Sequence, residues 1–392
     1  MKERKQFRWR ADLGRRLNSG ALAFLLSVSL LSSAVFAADG EEASASQALP
    51  TGQAAGITSE IGYDQLYSGF YYGEETVQNS AGGAVNTFVA KVDHSADNLA
   101  VVTGVPGNKT PLEAGRRQTV SGQANAARAA GQDVLGAVNA DFFYINDDTA
   151  IQPEGVCIKD GMVLKDYTEG SYFFGIEKDG TPVIGDETVY NSVSGDLQEA
   201  VSGRNLLVQD GGNLAEGETS AFYTDCHPRT AVGITEDDDI LLVVADGRSS
   251  ASAGLSLSDL ADYMISLGAV TAMNLDGGGS STMVVKDADT EGMEVRNVPS
   301  DGSERPCGNS LLIIDKDSAV DNTVDLSKDS DGYYLIGSGK DLAEVGKAPQ
   351  ANYRLNADIT ASETVCAAFS GAFDGSGQGH SSPALRHPFG QS

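Results

Sequence analysis

The chain is poor in the residues from which many sites are built. It has four cysteines and four histidines. No Cys-X-X-Cys or Cys/His cluster occurs, which argues against a zinc site. No glycine run leads into Gly-Lys-Ser/Thr, so a P-loop is absent. A Ser-His-Asp arrangement is not legible, because His227 is the one core-type histidine. Positive charge is scarce: 27 Lys and Arg stand against 55 Asp and Glu. Seven of the 27 and two of the 55 fall in residues 1–37, which leaves a net charge of −33 on the rest. Such a polyanion has no electrostatic reason to bind nucleic acid or an anionic membrane, which disfavours a nuclease. The acidity reads first as a solvated surface.

Long apolar runs are also missing. Residues 21–31 (ALAFLLSVSLL) are too short to span a bilayer comfortably. They follow a basic segment (Lys2, Arg4, Lys5, Arg8, Arg10, Arg15, Arg16) and precede Val35-Phe36-Ala37, with small residues at the −3 and −1 positions. This is the pattern of a cleaved secretory signal of bacterial type over residues 1–37. It implies a secreted or cell-surface protein without stable membrane insertion after cleavage. In an exported chain, Cys157, Cys226, Cys307 and Cys366 permit two disulfides, and spacing does not choose among the three pairings.

Glycine, by contrast, is abundant, with 46 residues, as many tight turns between short strands require. Residues 38–60 are small, polar and acidic and read as a linker. A globular domain follows over 61–316. Strands are expected at 85–92, 99–103, 134–144, 240–245, 270–275, 281–286 and 310–314. The run 240–245 (ILLVVA) is apolar throughout, as in a strand covered on both faces. Residues 123–130 look helical. A second helix is capped by Ser256, carries Asp259 in its first turn and shows a stripe of Leu257, Leu260, Ala261, Met264 and Ile265. Gly268 can close it in the left-handed conformation. Strand, helix and strand between 240 and 275 suggest a crossover. The fold class is α/β (α+β): a mixed β-sheet core with flanking helices and the site at strand ends. A polar linker is read at 317–330.

The strongest chemical signal is the loop after the strand at 270–275. Asn274 and Asp276 precede Gly277, Gly278 and Gly279, then Ser280 and Ser281. Consecutive glycines bring backbone amides close to a ligand, and successive amides form an anion nest. Four further segments sit near strand ends. Asn139 and Asp141 lie two apart, on one face if the strand continues. Arg229 and Thr230 open a strand, and an arginine fork suits phosphate. Asp246 and Arg248 follow ILLVVA. Arg305 and Asn309 flank Cys307 before SLLII. Acid–base work falls to the carboxylates.

These segments resemble the phosphodiester glycosidase family. The stretches that carry the resemblance are VNADFFY, PRTAVGIT, ILLVVADGR, LSLSDLADYMISLGAVTAMNLDGGGSSTMVV and RPCGNSLLI, in family order over roughly residues 61–315. The resemblance implies an exported hydrolase that cleaves the glycosidic bond of a sugar-1-phosphate diester, GlcNAc-1-phosphodiester-like, in extracellular or cell-wall glycans. It implies a glycan or sugar-phosphate substrate. It puts Asp276, Asp246 and Asp141 forward for the carboxylate chemistry. The expected binding residues are Asn139, Arg229, Thr230, Arg248, Asn274, Gly277, Gly278, Gly279, Ser280, Ser281, Arg305 and Asn309, with Arg229, Arg305 and the 277–281 amides on the phosphate. If both arginines face one phosphate, a Cys226–Cys307 disulfide would staple their loops, leaving Cys157 with Cys366. No cofactor is called for. Acidic groups beside a phosphate leave room for Ca²⁺ or Mg²⁺, although no Asp-rich loop of recognised spacing occurs. The alternative reading is a non-catalytic surface module that binds anionic glycans. Residues 331–392 resemble the opening turn of a β-helix-like surface repeat. One turn cannot bury a core alone, so a truncated, poorly ordered segment is expected.

Overall fold

The computed structural model describes residues 56–319, 326–338, 340–347, 351–359 and 372–375. The export segment, the linker up to residue 55 and Cys366 lie outside them. Two large antiparallel sheets dominate, one of twelve strands and one of five. In the larger sheet, Arg229–Thr235 pairs with Ile240–Ala245 on one side and Ala269–Asn274 on the other. Helix Leu257–Ser266 carries the chain across that middle strand, which is the crossover expected at 240–275. In the smaller sheet, Gln132–Asn139 pairs with Ser310–Ala319 and with Met283–Lys286.

The apolar pattern of each strand explains this layering. In Ile240–Ala245, Ile240, Leu242 and Val244 join a core with Val232 and Met273, and with Leu135, Val138, Met283 and Leu311 of the smaller sheet. Leu241, Val243 and Ala245 point the other way, onto Leu257, Leu260, Ala261 and Met264 of the helix. Each such Val, Leu, Ile or Met side chain contributes about 1.5–3 kcal/mol when fully buried. The outer face of the smaller sheet packs Val134, Ala137 and Leu312 onto Val120, Ala124 and Ala127 of helix Val120–Ala129. The order is therefore helix, sheet, sheet, helix.

Ser256 and Asp259 form a reciprocal capping box, and Gly268 takes φ +97° at the far end, as their positions suggest. The first helix begins at Val120, earlier than its apolar pattern, because the Thr119 hydroxyl accepts the Gly122 amide. The strand expected to run to residue 144 stops at Asn139. There the Asp141 amide leaves the ladder for the side chain of Asn309, at 2.8 Å. An excursion of four short strands (Cys157–Lys159, Met162–Lys165, Tyr172–Glu177, Pro182–Gly185) packs beside Leu197–Gln209. Its small core holds Val156, Ile158, Phe173 and Tyr190. Near the C-terminus, Tyr334–Ile336, Tyr353–Leu355 and Phe373–Asp374 pair in parallel, around Ile336, Leu342 and Leu355.

Candidate active site

The antiparallel order sends four chain ends to one place. The C-terminal ends of 240–245 and 269–274 lie beside the start of 229–235. In the smaller sheet, Asn139 pairs with Ser310 and Val138 with Met283. The glycine loop crosses from the larger sheet to the smaller one. Asn139 fixes it there. This fully buried side chain donates to the Asp276 carbonyl at 2.6 Å and accepts from the Thr230 hydroxyl at 2.9 Å and the Thr282 amide at 3.0 Å. The Asp276 amide donates to the Ala140 carbonyl at 2.9 Å. With its proton on Asn139, the Thr230 hydroxyl accepts from the Ser281 hydroxyl, 3.2 Å away.

Two carboxyls stand at this junction. Asp141 is 2% exposed and accepts the Gly155 amide at 2.8 Å. A side chain at residue 155 would fall 2.0 Å from the Ser202 hydroxyl, so only glycine lets this backbone approach. Burial, with repulsion from Glu154 and Asp276, pushes the Asp141 carboxyl up to about 7 against the pull of the Gly155 amide and Ser202. Asp276 is only partly covered and accepts the Gly277 amide at 2.9 Å. Burial pushes it up to about 6, against the Ser280 hydroxyl, the Gly277 amide and the charges of Arg305 and Arg204. Both acids thus hold their protons above the ordinary carboxylate range.

The remaining sequence candidates separate. Asp246 spends its carboxylate on Asn297 Nδ2 and the Val298 amide, at 3.1–3.2 Å, which anchors that segment. The Arg229 guanidinium is buried and donates to the carbonyls of Leu255, Phe222 and Asp225. Arg305 forks onto Asp301 at 2.7 and 2.9 Å, with a weaker contact to Ser280. Arg248 lies over Gly278 and reaches His227 Nδ1 at 3.4 Å. Of the five amides at 277–281, four already have acceptors: Asp276, Pro228, Gly277 and Gly278 in turn. The loop is thus knotted onto itself more than the anion nest requires. Asn309 orients the Asp141 backbone, and Asn274 is buried with Oδ1 lacking a donor.

The Cys226–Cys307 disulfide is corrected: both thiols are free. Cys226 lies beside Asn79 at 3.6 Å, and Cys307 donates to the Arg305 carbonyl at 3.2 Å. The pairing required Arg229 and Arg305 to face one phosphate, and Arg229 turns to backbone carbonyls instead. Cys157, the third described cysteine, is free as well. Among the described residues no three His, Cys, Asp or Glu group as metal ligands.

A cleft of about 460 Å³ opens at Asp141. Its walls include Glu154, Ser202, Arg204 and Asn205, with Tyr144, Tyr172 and Phe222 as aromatic surface. None of these was visible as a candidate in the sequence. One signal was present: Gly203-Arg204-Asn205 stands between the apolar pairs Ala200-Val201 and Leu206-Leu207.

Residues 132–314 match the phosphodiester glycosidase family. An SPbeta prophage-derived uncharacterized protein of Bacillus subtilis (strain 168) is 32% identical over 53% of this chain and 31% of its own length. The human N-acetylglucosamine-1-phosphodiester alpha-N-acetylglucosaminidase is 30% identical over 46% of this chain and 36% of its own. The chain thus spans about a third of the length of these curated relatives. The zebrafish catalytic domain of that name shares the fold, with a TM-score of 0.50 and 23% identity over 67% of this chain and 86% of the other. Over residues 132–314, then, the chain is similar to the phosphodiester glycosidase family.

Proposed function

We propose that the protein is an exported hydrolase that cleaves the glycosidic bond of a sugar-1-phosphate diester. The observation that carries this reading is Asp141 in the wall of an open cleft, with the charge of Asp276 near enough to act on it and the two buried to different degrees at the junction of the sheets. Asp141 is the more deeply buried and Asp276 feels the charges of Arg305 and Arg204, so the pair favours a state in which Asp141 keeps its proton and Asp276 is ionised. Asp141 then donates to the leaving phosphate oxygen. Asp276 acts at the sugar C1 side, as base for water or as nucleophile. The bond between C1 and oxygen breaks, and the products are a free sugar and a phosphomonoester. The relatives named for N-acetylglucosamine-1-phosphodiester support GlcNAc as the sugar. Residues 1–37 support export.

The test is incubation of the purified protein with an α-GlcNAc-1-phosphodiester, reading release of GlcNAc. Turnover that collapses in Asp276→Asn supports the reading. Tight binding of the diester without turnover would make the protein a glycan-binding surface module instead.

A further inference from the structure

Of the arginines that the family motifs point to, Arg229 and Arg305 are already engaged, and Arg248 lies over Gly278 without lining the cleft, which leaves the source of positive charge for a phosphodiester open. We propose that Arg204 is the anion clamp of the cleft, and that it selects sugars carrying a phosphodiester over neutral glycosides. The identity of the ligand rests on the reading above.

Three observations meet at this residue. First, Arg204 is the one Lys or Arg among the residues lining the cleft that holds Asp141. Second, its fork is largely unspent. Nη2 pairs with Glu154, and no other hydrogen bond of the guanidinium occurs among the described residues. Half of the side chain, 51%, remains exposed. Arg229 and Arg305, by contrast, have their forks on carbonyls and on Asp301. Third, the backbone aims it. Arg204 pairs with Asn274, two residues before Asp276, and the register then shifts before Leu206. Asn205 takes φ +66° at that irregularity. A bulge of this kind redirects the neighbouring side chain. Gly203 permits the close approach, since a side chain there would meet the Asn274 carbonyl at 2.6 Å. The guanidinium lies over the Phe142 ring, 4.6 Å from its centroid, so its plane is held by a stacking face as well as by Glu154. A planar fork fixed at one nitrogen and open at the others matches two phosphate oxygens. Tyr144, Tyr172 and Phe222 offer the cleft's apolar surface to the sugar.

The experiment is titration calorimetry with two probes: the methyl diester of α-GlcNAc-1-phosphate and the neutral methyl α-N-acetylglucosaminide. Wild type, Arg204→Gln and Arg204→Lys are compared at pH 6.5. A charge-assisted bidentate contact corresponds to about 10–100-fold in affinity. Arg204→Gln is expected to lose that much for the diester and less than twofold for the neutral glycoside. Arg204→Lys should fall between, because it keeps the charge and loses the fork. Equal losses for both probes, or wild type that does not prefer the diester, would overturn the proposal. Should Arg204→Gln fail to fold, Arg204→Lys decides on the same ratio. Catalysis is scored apart from binding: wild type that binds the diester through Arg204 without cleaving it refutes the hydrolase reading and leaves the clamp standing.

Discussion

Replacing Asp141 by Asn should stabilise the protein at alkaline pH and leave it nearly unchanged under acid conditions. In the fold the carboxyl is pushed from 3.8 up to about 7, mainly by burial. The unfolded chain gives up this proton near pH 4, whereas the folded chain keeps it until about pH 7. The folded state therefore holds its full share of stability below pH 4 and loses it progressively as pH rises to about 7. At 1.36 kcal/mol per pH unit the ceiling is about 4 kcal/mol by pH 8. An Asn side chain keeps an oxygen for the Gly155 amide, at 2.8 Å in the parent, and carries no charge to bury. It forfeits the charge-assisted part of that bond, so a net gain of about 1–3 kcal/mol is expected at pH 8. Urea unfolding of both proteins at pH 5 and pH 8 gives the comparison, since other titrating groups cancel between them. A variant whose advantage fails to grow between pH 5 and pH 8 would refute the account of Asp141 as a strained, buried acid. The same substitution removes the proton donor and should lower turnover about 10²-fold or more.

Three further outcomes follow from the geometry. The kcat/KM profile on the diester should rise as Asp276 ionises near 6 and fall as Asp141 deprotonates near 7; a flat profile from pH 5 to 8 would detach these acids from the rate. Asp246→Asn should keep turnover within about tenfold of wild type and cost about 1–3 kcal/mol in stability, because its carboxylate holds Asn297 and Val298; kinetics and unfolding curves together check this. Alkylation of denatured, unreduced protein should label Cys226 and Cys307 as free thiols, and a linked peptide on mass spectrometry would contradict the structure.

Much of the frame was legible because its signals are local. ILLVVA reads as a doubly covered strand since both faces must be apolar, and Ser256 with Asp259 declares a helix start without tertiary help. Asp141 and Asp276 were legible as polar residues just beyond apolar strands. What the sequence hides is side-chain direction. Arg229 and Arg204 look alike on paper, yet one guanidinium ends on three carbonyls and the other opens on the cleft. Glu154 meets Arg204 across 50 residues, a contact fixed only when the excursion packs beside Leu197–Gln209. The disulfide failed for the same reason: two cysteines near two arginines pair only if the arginines converge.

The four-stranded excursion at 157–185 has its own small core, and the turn at 168–172 within it forms one wall of the cleft. The acids, in contrast, follow the ends of the strands Gln132–Asn139 and Ala269–Asn274. One wall of the cleft and the two acids therefore sit on different parts of the chain. A lineage can rewrite the excursion, lengthening or reshaping that turn, and acquire a new glycan preference while the acids stay where they are. The same division gives an engineer a point of change: altering the turn at 168–172 should reshape that wall while Arg204 and the two acids stay in place.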